Sequence, residues 1–555
     1  MGDELKTNPV LEPMTRTLLL SYQDLPYHLK SILLYIVLFP EDYEVECGRL
    51  MRLWIAEGLI KQTRGKTVDE VARKYLNALI RRNLIQVAKL NMYGEVRRCR
   101  IHDVLREIIL SKSEEENFFK VLSEQDKVWQ QESMIRHLSI HNSIDNFLWN
   151  SRYTSRVRTL LLFRILKLQG NFMNTILSSF KLLRVLDLQG ATLGSLPEEV
   201  ANLFHLRYLS VRKTKARVLP KSIGKLQNLE TLDLRSTYVE ELSFSMLRLK
   251  QLRHLLAFNI KNPATAEGMR VHGRIGSLMA LQKLSLIDAD MGGARITTEL
   301  AGLTQLRKLG LHNHVREDGA DLCFIIEKMK DLRSLRLDTI YGEFLDLQHL
   351  SSPPKLLRRL WLDAHLEELP HWSWLRDDPI KVLQSLPNMK ELYLNGVYDS
   401  KELYFEAQGF KRLTQFEIGV SHNVSSVVME EGVMPLLEYL MISSREKLKK
   451  LPLGIQHLRN LNHFRSTNMP KEFDMAILQL LDGNSQRNSK VDVLNHIKKV
   501  NFNTLLEDGH WLTYSRDEFR STIERLRKKS DPEFPQSLED LFGKYIILFL
   551  FDGIY

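Results

Sequence analysis

Residues 183–226, "LRVLDLQGATLGSLPEEVANLFHLRYLSVRKTKARVLPKSIGKL", contain one pattern twice, and this pattern is the strongest indication of the fold. The motif L-x-x-L-x-L begins at Leu183 and again at Leu206, and each copy is followed by a Leu-Pro pair and a short segment that closes on a leucine. Since successive side chains of a strand point to opposite faces, the spaced leucines form one apolar side. A single copy cannot bury that side, so the pattern predicts a stacked array.

The array extends far beyond these two copies. Further copies, spaced 23 to 32 residues apart, begin at Leu229, Leu252, Leu281, Leu306, Leu332, Leu357, Met389, Leu413, Leu437 and, in degraded form, Leu461, with an earlier one at Val157. A period of about 20–29 residues, with one strand and one short helical segment per unit, is typical of leucine-rich repeats. The sequence therefore predicts an α/β leucine-rich-repeat solenoid, or horseshoe, with about thirteen repeats.

The residues between the strand leucines are expected on the concave side of the sheet. In the first clear unit these include Arg184 and Asp187, which we expect to face outward. Arginine recurs at or beside such positions, at Arg184, Arg207, Arg212, Arg235, Arg253, Arg307, Arg333, Arg336 and Arg359. These arginines are either solvated strand residues or parts of an exposed recognition surface.

Composition and cysteine usage indicate an ordinary folded intracellular protein. The 555 residues exceed what one compact core accommodates, and the net charge of +10 is dispersed. Cys47, Cys99 and Cys323 have neither a disulfide nor a zinc spacing, which favours a reducing compartment. The N-terminus lacks a signal peptide, and the apolar run 32–39 is too short to cross a bilayer. We expect a cytoplasmic protein without a membrane span.

A second pattern, with a helical period, occupies residues 17–112 ahead of the repeats. Helices are predicted within 25–39, within 47–59 with Gly58 as its stop, and from Thr67, whose spacing to Glu70 forms a capping box. A hairpin of two strands follows, and "HDVLREIIL" then begins another helix. Three helices followed by a two-stranded wing predict a winged-helix domain.

Residues 18–60, "LLLSYQDLPYHLKSILLYIVLFPEDYEVECGRLMRLWIAEGLI", resemble the winged-helix part of plant intracellular immune receptors of the coiled-coil class, which also carry C-terminal leucine-rich repeats. The resemblance covers roughly residues 8–470. It places "IHD" at Ile101, His102 and Asp103 where the family has Met-His-Asp, with isoleucine in place of methionine.

The resemblance implies a disease resistance function in innate immunity. It implies that the repeats recognise a pathogen effector or a guarded host protein, and that exchange of ADP for ATP in an intact receptor releases a form that promotes the hypersensitive response. It also implies that His102 contacts the ADP phosphate and that Asp103 supports the local geometry. The family's phosphate-binding loop is not found in this sequence, so we expect no nucleotide to be bound by this chain alone.

The predicted organisation has five segments. They are a linker from a missing nucleotide-binding part at 1–16, the winged helix at 17–112, a connector at 113–150, the repeats at 151–470 and a divergent tail at 471–555. We interpret the chain as the C-terminal portion of a receptor, whose partners could include the nucleotide-binding domains of full-length receptors.

Two motifs resemble a phosphate-binding loop and a metal site, but they lack the residues that such sites require at the expected spacing. "RGKT" at 64–67 lacks the earlier glycine of a phosphate loop, since Ile60 stands there, and "HNH" at 312–314 has no neighbouring metal-type ligands in sequence. We therefore expect neither catalysis nor a metal site.

Three alternative functions remain on the sequence alone. The chain could be an interaction scaffold or decoy that binds no nucleotide, or a substrate receptor of a ubiquitin ligase. The wing arginines Arg97, Arg98 and Arg100 would also suit a DNA-binding winged helix, although the specific match to the receptors argues against nucleic acid.

Overall fold

The computed structural model divides into two compact units, Met1–Asn313 and His314–Tyr555. It describes residues 12–91, 95–116, 119–122, 135–142, 156–165, 170–262, 265–271, 273–291, 294–312, 319–339, 344–345, 347, 349–350, 352, 354–363, 365–366, 383–384, 386–396, 401–419, 423–443, 447–470, 472–473, 476–477, 496–505 and 511–515. No helix in this described part is both long and apolar enough to cross a membrane.

Eight α-helices lie within the described residues. They are α1 (Glu12–Gln23), α2 (Tyr27–Ile36), α3 (Cys47–Glu57), α4 (Val68–Arg81), α5 (Asp103–Glu116), α6 (Gly170–Ser179), α7 (Ile296–Leu300) and α8 (Gly319–Lys328). Short 3₁₀ segments follow several repeat strands, at Glu198–Asn202, Lys221–Lys225, Phe244–Arg248, Ile275–Ser277 and Ile455–His457.

The strands of the first unit form one long sheet and several small ones. They are β1 (Val45–Glu46), β2 (Ile85–Leu90), β3 (Val96–Ile101), β4 (Phe119–Leu122), β5 (His137–His141), β6 (Thr159–Phe163), β7 (Val185–Asp187), β8 (Tyr208–Ser210), β9 (Thr231–Asp233), β10 (Glu241–Leu242), β11 (His254–Leu256), β12 (Asn259–Asn262), β13 (Thr265–Glu267), β14 (Arg270–Val271), β15 (Lys283–Asp288), β16 (Asp290–Met291), β17 (Ala294–Arg295) and β18 (Lys308–His312).

The strands of the second unit continue the same numbering. They are β19 (Ser334–Asp338), β20 (Phe344–Leu345), β21 (Arg359–Asp363), β22 (His365–Leu366), β23 (Glu391–Asn395), β24 (Glu402–Phe405), β25 (Gln415–Gly419), β26 (Ser426–Met429), β27 (Tyr439–Ser443), β28 (His463–Thr467), β29 (Lys499–Leu505) and β30 (Trp511–Ser515).

The winged helix in the first unit is built from α1–α5 and a small sheet of order β1-β3-β2. Helix α3 ends at Gly58, whose φ of 88° is the left-handed conformation that glycine adopts without strain. Helix α4 begins with the predicted capping box, in which Thr67 and Glu70 exchange hydrogen bonds. The predicted hairpin is confirmed as β2 and β3, while β1, too short to leave a sequence pattern, adds a third strand.

The repeats in the first unit pair in parallel, in the order β4, β5, β6, β7, β8, β9, β11, β15 and β18. Strand leucines align across the ladder, so that Leu186 pairs with Leu209 and Leu209 with Leu232. These leucines are fully buried, as the repeat pattern predicts.

Three regular elements lie where linkers or connectors are predicted. Strands β4 and β5 fall within 113–150, because "FKVL" and "HLSIH" fit the ladder without the leucine spacing that identifies a repeat. Helix α1 begins at Glu12, inside the predicted linker 1–16. The sheet therefore starts earlier than the leucine pattern indicates.

In the second unit, β19, β21, β23, β25, β27, β28 and β29 pair in parallel, and β30 pairs antiparallel with β29. The last two strands lie in the predicted divergent tail, where "KVNFNTL" and "WLTYS" extend the sheet without repeat leucines. The apolar run 545–551 lies outside the described residues.

Candidate functional site

The His-Asp pair lies at the junction of β3 and α5, as the sequence predicts. Asp103 is the first residue of α5, and His102 precedes it. The backbone N–H of Val104 donates to Nδ1 of His102 at 3.2 Å, so the imidazole caps the helix. Because Nδ1 accepts this hydrogen bond, the ring proton resides on Nε2, which is thereby a donor.

This arrangement fits a phosphate group. An N–H donor beside the N-terminus of a 14-residue helix suits an anionic oxygen, because the helix dipole is positive there. Asp103 occupies the first turn, where a carboxylate is favoured by the same dipole. His102 and Asp103 are neighbours in the chain at this helix start, and their roles toward a nucleotide stay a prediction.

The motif "RGKT" is a turn in the structure. Thr63 and Lys66 form an antiparallel bridge around Gly65, whose φ is 74°, and Thr67 caps α4. Among the described residues, no group of three or more His, Cys, Asp or Glu side chains is placed to hold a metal ion. His312 ends β18, and the rest of "HNH" lies outside the described residues.

Two of the three wing arginines, Arg98 and Arg100, are engaged with the protein itself. Arg98 pairs with Glu44 at 3.4 Å and Arg100 with Asp42 at 2.7 Å, both on the exposed surface. Each charge is thus paired with a carboxylate of the same domain.

The feature that the sequence did not predict is a buried contact between the winged helix and the strand face of the repeats. Side chains of α3 and α2 share one apolar cluster with repeat residues, so that Trp54 and Tyr35 pack in the same core as Phe163, Val185 and Tyr208. All three repeat residues are at most 4% exposed. The first repeats are therefore covered on the side expected to face outward.

An ion pair lies inside this contact. Arg49 of α3 donates from Nε to Oδ2 of Asp187 on β7 at 2.8 Å, and both side chains are buried. Arg49 also donates to the Tyr43 hydroxyl at 2.8 Å, with the rings of Phe39, Tyr43 and Phe163 around its guanidinium. Burial lowers the pKa of Arg49, but Asp187, together with Tyr43 and Tyr208, outweighs burial and the pKa is raised.

A second buried group is Glu57, at the C-terminal end of α3. Thr159 of β6 donates to its carboxylate at 3.0 Å, and Arg184 donates to its backbone carbonyl at 2.8 Å. Glu57 is 5% exposed, and burial raises its pKa to about 7, against the opposing effects of the Thr159 hydrogen bond and of Arg184. This carboxyl is poised to titrate near neutral pH.

Charged pairs surround the buried centre. Glu46 accepts from Arg212 at 2.7 Å and lies 3.8 Å from Arg235. Asp69 accepts from Arg253 at 2.8 Å. In these outer pairs the winged helix contributes the carboxylates and the repeats the guanidiniums, whereas the buried pair of Arg49 and Asp187 has the reverse polarity. The two surfaces are therefore complementary in charge pair by pair.

These contacts correct two expectations. Asp187, expected to face outward, is completely buried under α3. From the sequence, the arginines of the repeats are expected either to be solvated or to form an exposed recognition surface. Five of them do neither, because they contact the winged helix: Arg184, Arg212, Arg235, Arg253 and Arg307. The physical reason is that a second domain occupies the surface that an isolated solenoid would leave to solvent.

Comparison with known proteins identifies both parts of the chain. A model of a leucine-rich repeat region matches residues 156–479, and a model of the disease resistance protein winged helix domain matches residues 38–109. Among curated proteins of Arabidopsis thaliana, Disease resistance protein RPM1 is 34% identical over an alignment of 480 residues, and the match covers 82% of this chain and 51% of that protein. Disease resistance RPP8-like protein 3 is 28% identical over 503 residues, with 83% and 53% covered.

The chain spans about half the length of the curated relatives it matches. Among solved structures, a leucine-rich-repeat protein of Leptospira interrogans aligns with a TM-score of 0.41 at 20% identity, covering 67% of this chain and 97% of that one. An internalin of Listeria monocytogenes aligns with a TM-score of 0.34 at 16% identity, covering 57% and 75%.

Proposed function

We propose a function for this chain on the premise that it belongs to the leucine-rich-repeat disease resistance proteins of plants. The chain acts as the regulatory and recognition part of such a receptor. The repeats of the first unit hold the winged helix in one position. As a second role, the repeat domain recognises a pathogen effector or a guarded host protein. ADP and ATP act in the intact receptor, through a nucleotide-binding part of the kind found in the family.

The observation that carries this proposal is the buried pair of Arg49 and Asp187 with its charged surroundings. Removing one partner of a buried ion pair leaves an uncompensated charge, whereas separating the two surfaces exposes both charges to water. The contact therefore resists a partial opening that would leave one charge buried alone. It still allows the winged helix to separate completely from the repeats. These are the properties required of a contact that is closed at rest and open after recognition.

His102 and Asp103 connect this contact to the nucleotide. We propose that Nε2 of His102 donates to a phosphate oxygen of ADP, while Asp103 maintains the start of α5. The tautomer imposed by Val104 supports this assignment. The bound ADP would supply the negative charge that holds the imidazole in place.

The chain acts by binding rather than by catalysis in this proposal. Its partners are an effector or guarded host protein and the nucleotide-binding domains of full-length receptors, in the cytoplasm. The buried free thiols of Cys47, Cys99 and Cys323 support a reducing compartment.

The test is association of the full chain with the purified nucleotide-binding region of a full-length relative, loaded with ADP or with an ATP analogue. We expect stronger capture of the ADP-loaded region, and weaker capture by His102→Ala. His205→Ala, at an exposed histidine of the repeats, is the matched control and should leave capture unchanged. Equal or absent capture in both nucleotide states would contradict the proposal and favour the scaffold alternative.

A further inference from the structure

The strand face of the second unit presents its side chains in straight rows. Arg336 of β19 is in register with Trp361 of β21, Trp361 with Tyr393 of β23, and Tyr393 with Glu417 of β25. These four side chains are partly exposed, whereas the leucines between them are buried. One row across four strands therefore carries an arginine, two large aromatic rings and a carboxylate, here called the aromatic row.

The first three members of the aromatic row form one continuous stack. The Trp361 and Tyr393 rings are nearly parallel, at 10°, with centroids 3.5 Å apart. The Arg336 guanidinium lies 4.7 Å from the Trp361 ring. Trp, Tyr and Arg are the residue types enriched in protein-binding hot spots. Trp and Tyr offer a large rigid surface at a low cost in conformational entropy. Stacking fixes their rotamers, which lowers that cost further.

The charge around the stack identifies the kind of partner. Strands β19, β21, β23 and β25 carry two arginines and four carboxylates, a formal net charge of −2, from Arg336, Arg359, Asp338, Asp363, Glu391 and Glu417. Both arginines are bound to carboxylates of the same face, Arg336 to Asp338 and Arg359 to Glu391. Arg333, Arg358 and Lys390 directly precede three of these strands, so the face as a whole carries both signs. The charges that act on Tyr393 are nevertheless mainly the carboxylates of Asp363, Glu417 and Asp338, opposed by Arg336. An approaching partner therefore meets carboxylates beside the Tyr393 ring.

Two neighbouring groups respond to this acidic environment. Burial raises the pKa of Tyr393, and Asp363, Glu417 and Asp338 raise it further. Burial, and to a lesser extent Glu391, raise the pKa of Glu417, against the hydrogen bond from Gln415 and the charge of Arg465, which lower it. An incoming cation would offset both effects, since it stabilises the carboxylate and relieves the negative potential around the ring.

The first unit shows how a charged strand face of this solenoid is covered. There Arg212, Arg235 and Arg253 of the repeats meet Glu46 and Asp69 of the winged helix, and Asp187 of the repeats meets Arg49 of the winged helix. On that face the occupant places a side chain of opposite charge against Arg212, Arg253 and Asp187. By the same rule, the carboxylates that act on Tyr393 call for a cationic group of the occupant. Anionic occupants, such as nucleic acid or an acidic lipid surface, are disfavoured by the same argument.

We propose that the face formed by β19, β21, β23 and β25 binds a basic segment of a partner protein, which places an arginine or lysine beside Tyr393 and packs against the Trp361–Tyr393 stack. This inference deepens the proposed function, on which it rests for the assumption that the repeats recognise a protein.

The test selects binders of the immobilised full chain from a phage-displayed library of random linear peptides. We expect the recovered peptides to be enriched in arginine and lysine. The recovered peptides should bind Trp361→Ala on the order of thirty-fold more weakly than wild type in fluorescence anisotropy. Their affinity for wild type should fall as salt is raised.

Three further variants separate the contribution of the carboxylates from that of the aromatic stack. The isosteric double variant Asp363→Asn, Glu417→Gln keeps the stack and should weaken binding several-fold, and Tyr393→Phe should retain most of it. Phe324→Ala, at an exposed ring of α8 in the same unit, is the matched control and should bind as wild type does. Circular dichroism of each variant confirms that the fold is intact.

Recovery of acidic or uncharged peptides, or of no basic peptide, would overturn the inference. Basic peptides that bind Trp361→Ala and the double variant as tightly as wild type would overturn it as well. The selection uses neither nucleotide nor a second receptor, so its failure would not contradict the proposed role of the winged-helix contact. Failure of the nucleotide-binding region to associate likewise leaves the peptide result standing.

Discussion

Arg49 and Asp187 are 138 residues apart in the chain, and the guanidinium of one donates to the carboxylate of the other across 2.8 Å inside a shared core. The pair fixes the register of α3 on β7, since neither charge can be left alone without water. Net stabilisation by such a pair is small, and the cost of removing one member is large. Its main effect is therefore to specify one position of the winged helix.

Arg49→Ala should lower the free energy of unfolding by about 3–5 kcal/mol, because Asp187 would remain buried without its cation. Urea denaturation of the full chain, followed by tryptophan fluorescence, measures the change. Arg98→Ala is the control, since its partner Glu44 is 45% exposed and the expected loss is below about 1 kcal/mol. Equal losses for the two variants would show that the buried pair does not hold the contact.

Glu57→Gln should remove a pH dependence of stability. The pKa of Glu57 is about 7 in the folded protein, above the ordinary value of about 4.3, so the folded chain binds this proton more tightly. The stability it contributes is complete below the ordinary pKa and is lost as pH rises through about 7. Glutamine still accepts from Thr159 and does not ionise.

The stability of Glu57→Gln relative to wild type should therefore increase by about 2–3 kcal/mol between about pH 5 and pH 8. Urea titrations at several pH values measure this difference. Glu44→Gln, at an exposed carboxylate of the same domain, should show no comparable trend. A constant difference for Glu57→Gln across the range would contradict the assignment.

His102→Ala should lower stability by about 1 kcal/mol through loss of the cap on Val104, whereas His102→Asn should retain most of it, because asparagine is a good helix cap. Thermal unfolding of the full chain distinguishes the two. If the capture of an ADP-loaded partner falls in both variants while stability falls only in His102→Ala, the capping and nucleotide roles are separate. Equal stability of both variants and wild type would contradict the capping role.

Gly454→Ala should destabilise the second unit strongly. Gly454 has φ of 88°, and a Cβ there would overlap the carbonyl oxygen of Met429. Gly432 has φ of 86°, and a Cβ added there would meet no heavy atom within 4 Å, so Gly432→Ala should cost only about 1 kcal/mol. Chemical denaturation should show a loss for Gly454→Ala that exceeds this control by about 2 kcal/mol or more. Similar losses of stability for the two variants would mean that the backbone at Met429 moves to accommodate the added Cβ.

The sequence predicted those elements that local spacing specifies. The leucine period predicted the ladder, in which Leu186 aligns with Leu209, and Thr67, Glu70 and Gly58 predicted the ends of helices. The position of His102 and Asp103 at the start of α5 also followed, from a resemblance to a known motif. Strands β4, β5, β29 and β30 did not follow, because they pair with neighbours without the repeat's leucines.

The repeating strands, the winged helix and the family are all encoded locally, because each depends on periods and motifs within a few tens of residues. Which polar residues are exposed depends instead on tertiary packing. Asp187 reads as a surface residue in its own repeat and is buried because α3, far away in the chain, packs on it. Trp361 and Tyr393 lie 32 residues apart and become one stack only when β21 and β23 pair in register. Burial and charge pairing depend on which surfaces meet, and local spacing does not encode that choice.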